Sequence, residues 1–398
     1  MSSPLRSLFL QLGALGVIVS ALLFIADLSS APSAPEATSQ AAATVVSSPV
    51  LATTTPRESV EATTTPSQAA TEAPSVAAKP VPAIPKQENT ALQSDNSDLN
   101  QVHRVEDPYT TAPLSFDTIN LAARAALVNI LCMPKGGSLR PVSGSGVIID
   151  PRGVILTNAH VAQYVLLSED PRVDLACYVR SGAPARARWS ATVLYIPPVW
   201  VREHALELTD PRPTGTGEHD YALLLITHSL DSTPLPAISV GGFPFIPPDT
   251  REGIAFVDDA VLAASYPAEF IGGIAAQYGL FPASSVTTIK DLLTFRAGTI
   301  DLISIGGIIE AQSGSSGGAV VNAWQKLVGV ITTTSDGETT AERDLRAVTL
   351  SYIDRDLKAQ RGAGLAELLT GDIAAKATDF TNSIAPGLIH QLVTPLQH

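Results

Sequence analysis

The sequence predicts an all-β body, an antiparallel barrel or sandwich, lying between a long Pro/Ala/Thr/Ser tract and a helical C-terminal tail. Three observations predict it. Short β-rich runs recur from Leu127 to Leu350, separated by turns containing glycine or proline, the pattern of many short strands folded on one another. Two of these runs, Gly144–Asp150 and Gly153–Thr157, flank a tight turn and read as a hairpin. The tract before the body has few aromatic residues and no apolar periodicity, so it cannot bury enough apolar surface to offset its ordering entropy.

The chain divides into four parts. In residues 1–28, Leu8 to Ala26 are apolar apart from Gln11 and Ser20, close to the roughly 20 residues that cross a bilayer as a helix. Arg6 before the run and Asp27 after it orient the N-terminus to the cytoplasm and the rest of the chain to the other side. The length favours an uncleaved membrane anchor. The small residues Ser29, Ser30 and Ala31 support the competing reading, a cleaved signal peptide and a secreted product. Residues 29–113 read as a disordered stalk stiffened by proline, with Ala52-Thr53-Thr54-Thr55-Pro56 echoed at Ala62-Thr63-Thr64-Thr65-Pro66.

The body spans 114–357. Phe116, Ile119, Ala122 and Ala123 share a face, which predicts a helix over Phe116–Ala126. Strands are expected at 127–133, 142–149, 154–157, 173–179, 189–196, 221–226, 260–265, 300–309, 319–321, 327–333 and 347–350. Pro197–Gly217 reads as a proline-rich surface insertion, and Phe243–Arg296 as long loops of the kind that shape access to a site. The tail, 358–398, is helical in places, with Pro386 as an interruption.

With 45% hydrophobic and 16% charged residues, a packed core is feasible. The net charge of −13 argues against a nucleic-acid partner, which calls for a basic patch. Two cysteines and scattered histidines offer no metal-ligand spacing, and no cofactor is expected. If the body lies outside the cytoplasm, Cys132 and Cys177 can form one bridge; two separate buried thiols are the alternative.

The chemistry centres on Gly314-Ser315-Ser316-Gly317-Gly318. Glycines around a serine allow a tight turn that aims backbone N–H groups at one point, where an oxyanion can sit. Ser316 is the candidate nucleophile, and the N–H groups of Gly314 and Ser316 are the candidate oxyanion donors. A serine needs a base and a carboxylate. His160 falls just past the second strand of the hairpin, and Asp220 stands at the mouth of the strand Tyr221–Ile226. His219 and His228 are read as surface residues, and Ser315 as out of register. Taken singly, the motif could be an ordinary Gly/Ser loop, His160 a structural histidine and Asp220 a turn acid; their ordered combination favours the catalytic reading.

At Thr157-Asn158-Ala159-His160, Asp220-Tyr221-Ala222-Leu223-Leu224 and Gly314–Gly318, over roughly Phe116–Leu357, the chain resembles the trypsin-like serine peptidase family. Gly144-Ser145-Gly146-Val147-Ile148-Ile149 is similar to the bacterial HtrA and glutamyl-endopeptidase branch. Ser315 stands where the animal enzymes carry an acid, so activation by an inserted new N-terminus is not implied. The resemblance implies a chymotrypsin-like pair of six-stranded-type antiparallel β-barrels with the site between them. The first would carry His160 and Asp220, the second Ser316, with the tail on or beyond the second barrel. It implies a serine endopeptidase acting on polypeptides through an acyl-enzyme. Glu310, six residues before Ser316, would sit at the base of the primary specificity pocket and attract Lys or Arg. Thr332, Thr333 and Thr334 would pair with substrate backbone. An inactive, tethered peptide-binding relative is the second reading; a cell-surface structural protein, suggested only by the stalk, is the third.

Overall fold

The computed structural model describes residues 102–137, 139–210, 215–268, 278–296, 298–334 and 339–397. The apolar run Leu8–Ala26 and the tract up to residue 101 lie outside the described residues. Among the described residues, no helix is long and apolar enough to cross a membrane.

The chain enters the body through helix α1, Phe116–Ala126. Ser115 caps it by accepting from the Thr118 N–H, and Ile119, Ala123 and Ala126 form its buried stripe. Without a loop it becomes β1, Leu127–Pro134. Strands β2 (Val142–Asp150), β3 (Val154–Thr157), β4 (Leu175–Ser181), β5 (Arg186–Tyr195) and β6 (Ala222–Ser229) follow. All pairs are antiparallel, and the order β1-β2-β3-β6-β5-β4 closes into a barrel. The β2–β3 turn is closed by Gly153 N–H donating to the Asp150 carbonyl at 3.0 Å. Gly153 has φ +86°, and a Cβ there would meet the Phe243 ring at 2.9 Å, so glycine is required twice over.

The second body contains β7 (Ala260–Ser265), β8 (Ala283–Thr288), β9 (Asp291–Leu293), β10 (Leu302–Gly306), β11 (Ala319–Asn322), β12 (Leu327–Thr334) and β13 (Leu345–Thr349). Its order is β8-β7-β11-β12-β13-β10-β9. This corrects the expectation of a second six-stranded barrel: it is a seven-stranded sheet with β8 and β9 at its edges. The reason lies at Ile289-Lys290. Ile289 N–H bonds the Asp259 carbonyl at 3.0 Å and Lys290 N–H the Ser304 carbonyl at 2.7 Å, so the chain bends and its two halves join opposite edges. Consecutive segments at the two edges force the sheet to curl back on itself.

Three further readings are corrected. Pro197–Gly217 is not a mere surface insertion: helix α3, Pro198–His204, buries Trp200 and Val201, and Ala205 and Leu208 beyond it are buried too. It follows α2, Ala159–Leu167, whose nearly all-round burial hides any amphipathic period. Residues 102–113, assigned above to the stalk, lie against the second sheet. Arg104 pairs with Asp259 at 2.9 Å, and Tyr109 stacks on Trp324 (centroids 4.9 Å) and donates to Asp249 at 2.7 Å. The tail also departs from expectation. Helix α4 (Leu350–Arg361) follows β13, and α5 (Leu365–Leu368) turns the chain. Helices α6 (Ile373–Ser383) and α7 (Ala385–Val393) then return to the first barrel. Phe380 of α6 meets Tyr195 of β5 edge-on at 6.2 Å, and Arg152 donates to the Leu369 and Gly371 carbonyls. Pro386 falls in the first turn of α7 rather than interrupting a helix, where a backbone N–H would have no intrahelical acceptor.

Cys132 and Cys177 stand directly opposite on β1 and β4 and are joined by a disulfide across a sequence separation of 45. Closing a loop of that length restricts the unfolded chain. Replacing both cysteines by alanine is expected to lower the unfolding free energy by about 2–4 kcal/mol. Urea denaturation checks this as a lower midpoint.

Candidate active site

The β3–β6 register places the first two residues. Thr157, the last of β3, pairs with Ala222, the first of β6. His160 lies three residues beyond one and Asp220 two before the other, so antiparallel pairing brings them to the same end of the barrel. His160 opens α2, and its backbone N–H donates to Asp220 Oδ1 at 3.0 Å while ring Nδ1 lies 2.8 Å from Oδ2. Nδ1 must carry the proton to donate to a carboxylate, which leaves Nε2 as the lone-pair nitrogen of the neutral ring.

Asp220 is buried, and its carboxylate accepts a third bond from Thr332 Oγ1 at 2.7 Å; Asn158 Nδ2 donates to its carbonyl at 2.9 Å. Burial alone would raise its pKa. The His160 charge and the bonds from His160 and Thr332 outweigh it and hold the carboxyl below its ordinary value. For His160, enclosure disfavours the charged ring, and the facing Asp220 carboxylate more than offsets this, so its pKa stands above the usual histidine value. About a third of the His160 side chain (32%) remains exposed.

The Ser316 loop joins both bodies. Gly317 has φ +86°, and a Cβ there would lie 1.9 Å from the Ser145 carbonyl oxygen and 2.5 Å from Thr157 Oγ1. Only glycine lets the loop press this closely on the end of β3. Ser145 N–H donates to the Ser316 carbonyl at 2.7 Å. The Ser145 hydroxyl donates to the Gly314 carbonyl at 2.7 Å and accepts from Tyr266 N–H at 2.8 Å. Gly317 N–H donates to the Ile331 carbonyl at 2.8 Å. Thr332, the next residue, is the one bonded to Asp220. A short chain of contacts therefore links Ser316 through Thr332 and Asp220 to His160.

Ser315 faces inward, its hydroxyl 2.9 Å from that of Ser265, and Ser316 is the half-buried one. Among the described residues, no hydrogen bond joins the Ser316 hydroxyl to His160, and the N–H groups of Gly314 and Ser316 donate to no backbone carbonyl.

Glu310 is fully buried, and among the described residues neither carboxylate oxygen has a hydrogen-bond partner within bonding geometry. Burial pushes its pKa up, and the nearby Ser285 hydroxyl and its own backbone N–H offset only part of this. On the β11 side of β12 the ladder ends at Ala319–Val330. Thr333 and Thr334 run past it, paired to Arg346 and Leu345 of β13. The Thr332 side chain serves Asp220. Among the described residues, no cluster of three acidic, histidine or cysteine side chains could hold a metal.

The sequence reading missed two positions and misplaced one. Ser145 was seen only as part of a glycine-flanked strand; its side chain ties the Ser316 loop to the first barrel. Thr332 was given to substrate contact alone. His219 was read as a surface residue, yet its side chain is only 14% exposed and pairs with Asp356 at 3.0 Å. His228 is exposed as expected.

Residues 144–330 match the family model described as the trypsin-like peptidase domain. Among solved structures, the serine endoprotease from Yersinia pestis aligns over 64% of this chain and 70% of its own, at 22% identity and a TM-score of 0.38. Among curated proteins none matches significantly. Residues 144–330, which hold His160, Asp220 and Ser316, are thus similar to the trypsin-like peptidase domain.

Proposed function

We propose that this protein is a serine endopeptidase in which Ser316 is the nucleophile, His160 the general base and Asp220 the carboxylate that orients it. The observation that carries this reading is the doubly held His160–Asp220 pair, with the Ser316 loop bonded to the strand residue next to Thr332. Ser316 Oγ attacks the scissile carbonyl while its proton passes to His160 Nε2. Asp220 stabilises the imidazolium, and the Gly314 and Ser316 N–H groups receive the oxyanion. His160 then donates the proton to the leaving amine. A water molecule, activated by the same ring, hydrolyses the acyl-enzyme. One observation favours a second reading, peptide binding without turnover: the Ser316 hydroxyl has no bond to His160. Catalytic bonds are often loose without substrate, so hydrolysis remains the conclusion.

An extended peptide would add a strand along Thr332–Thr334, where β12 is unpaired beyond β11. Glu310 would receive the primary side chain. The cation of a Lys or Arg entering beside this buried carboxyl would favour its ionised form, any proton leaving to water, and would pair with the carboxylate. For location, we propose a single-pass anchor at Leu8–Ala26 with the peptidase domain outside the cytoplasm, secretion after cleavage being the alternative. The Cys132–Cys177 disulfide supports an oxidising compartment.

A fluorophosphonate probe tests the reaction. Wild type is expected to label at one site, and Ser316→Ala not at all. The labelling rate should rise with pH, because the His160 proton must be lost before the ring can act as a base. Since the His160 pKa is raised, the midpoint should lie above about 6.5. No labelling, or equal labelling of Ser316→Ala, would refute the hydrolase reading.

The specificity proposal has a separate check. A peptide library should show cleavage after Lys or Arg that is lost in Glu310→Gln, with the protein still labelled by the probe. A wild type without basic preference removes Glu310 from the specificity site.

A further inference from the structure

One side chain outside the family-matched residues holds both neighbours of Asp220. Asp356 lies on α4, the helix after β13, and is buried. Its Oδ1 is 3.0 Å from His219 Nδ1, and its Oδ2 accepts from the Tyr221 hydroxyl at 2.8 Å. Asp220 is the residue between them.

Two more bonds reinforce the hold. His219 has φ +59°, a left-handed conformation uncommon for a residue with a Cβ. Its backbone N–H donates to the Tyr352 hydroxyl at 3.0 Å, one helical turn before Asp356. Gln360, one turn after Asp356, bonds the same carboxylate with Nε2. On its other side the turn is closed locally: Asp220 N–H donates to the Gly217 carbonyl at 3.2 Å, and Tyr221 N–H to that of His219 at 2.9 Å. A Cβ on Gly217 would touch Thr332 Cγ2 at 3.1 Å, so the turn is pressed between α4 and the residue that donates to Asp220.

We propose that His219 and Asp356 are positioning residues: α4 clamps the turn that presents the Asp220 carboxylate to His160. Neither touches the reacting atoms. Their effect passes through Asp220, whose orientation sets the strength of its bond to the His160 ring. The groups facing His219 are Asp356, Tyr352 and Gln360 from α4, Glu203 from α3, and Glu218, which Arg296 also approaches at 3.9 Å. Burial opposes the charged form of His219, and the Asp356 carboxylate in contact with its ring is the leading cause that raises its pKa. The charged clamp is therefore complete at lower pH and weakens as pH rises through that value.

The catalytic readout rests on the peptidase reading above, so the experiment pairs it with one that needs no turnover. Asp356→Asn removes the charge of the clamp. Tyr352→Phe removes only the hydroxyl that receives the His219 amide and leaves the ring against Phe295. Glu203→Gln is the control, removing a nearby negative charge outside the clamp. In both clamp variants the probe-labelling rate should fall about tenfold to a hundredfold, the scale of a small misplacement of catalytic groups. With a peptide substrate the loss should fall on kcat with KM little changed. The rising pH limb should move to lower pH as the ring loses the support of Asp220. In parallel, proton NMR should show the downfield His160 Nδ1 resonance shifting upfield in the clamp variants and not in Glu203→Gln. Folded clamp variants with wild-type labelling, pH limb and Nδ1 resonance would overturn the proposal. A wild type that does not label, but whose Nδ1 resonance responds to both clamp variants, would refute the peptidase reading and leave the clamp standing.

Discussion

Keeping an ionised carboxylate inside the protein is the constraint on which the site depends. Removing a carboxylate from water costs several kcal/mol even after relaxation, and Asp220 is buried. It stays charged because three donors meet its oxygens: the His160 amide on Oδ1, and the His160 ring and the Thr332 hydroxyl on Oδ2. Those donors come from two places in the chain, the start of α2 and the middle of β12, and meet the carboxylate at a third, the turn before β6. The fold must bring all three together for any one of them to be worth having. Removing a single partner of such a network costs more than the bond itself, since the remaining charge is left short of a donor.

The join between the two bodies is governed by close backbone approach, which explains its composition. Gly317 meets the Ser145 carbonyl and Thr157 with no room for a Cβ, and a Cβ on Gly314, with φ +93°, would meet the Tyr266 carbonyl at 2.8 Å. At such distances side-chain burial contributes little and hydrogen bonds carry the contact. Ser145 takes part in three: its amide holds the Ser316 carbonyl, and its hydroxyl donates to the Gly314 carbonyl and accepts from the Tyr266 N–H. The Ser316 loop is thus pinned from beneath by bonds to its main-chain carbonyls, while among the described residues its own N–H groups at 314 and 316 donate to no backbone carbonyl.

Features governed by local pattern were legible in the sequence, and features governed by distant pairing were not. The helix Phe116–Ala126 and the strands at 154–157 and 260–265 have the predicted bounds, because their apolar spacing or flanking turns are complete within the segment. The positions of His160, Asp220 and Ser316 followed from short motifs beside those elements. Strand β8 was missed because Ala283–Thr288 is rich in serine and threonine and half-exposed along its length, which gives no alternation to read. Helix α2 was missed for the opposite reason, being apolar on almost every side. The roles of Ser145, Thr332 and Asp356 depend on partners 169, 112 and 135 positions away respectively, and no local signal encodes such a partner.

The tail shows how such long-range dependence constrains the site. Having left β13 on the second sheet, the chain builds α4 over the turn before Asp220. It then crosses to lay α6 on β5, where Phe380 packs against Tyr195 and Arg361 lies over the same ring at 5.5 Å. Tyr195 also stacks on Tyr221 at 6.3 Å, the residue whose hydroxyl reaches Asp356. The aromatic contacts of α6 and the polar contacts of α4 therefore converge on one residue next to Asp220. A tail packed only on the second sheet could hold α4 in place, yet it would leave the barrel wall behind Tyr221 uncovered. By bridging the two bodies, the tail makes the orientation of one buried carboxylate depend on how both are packed.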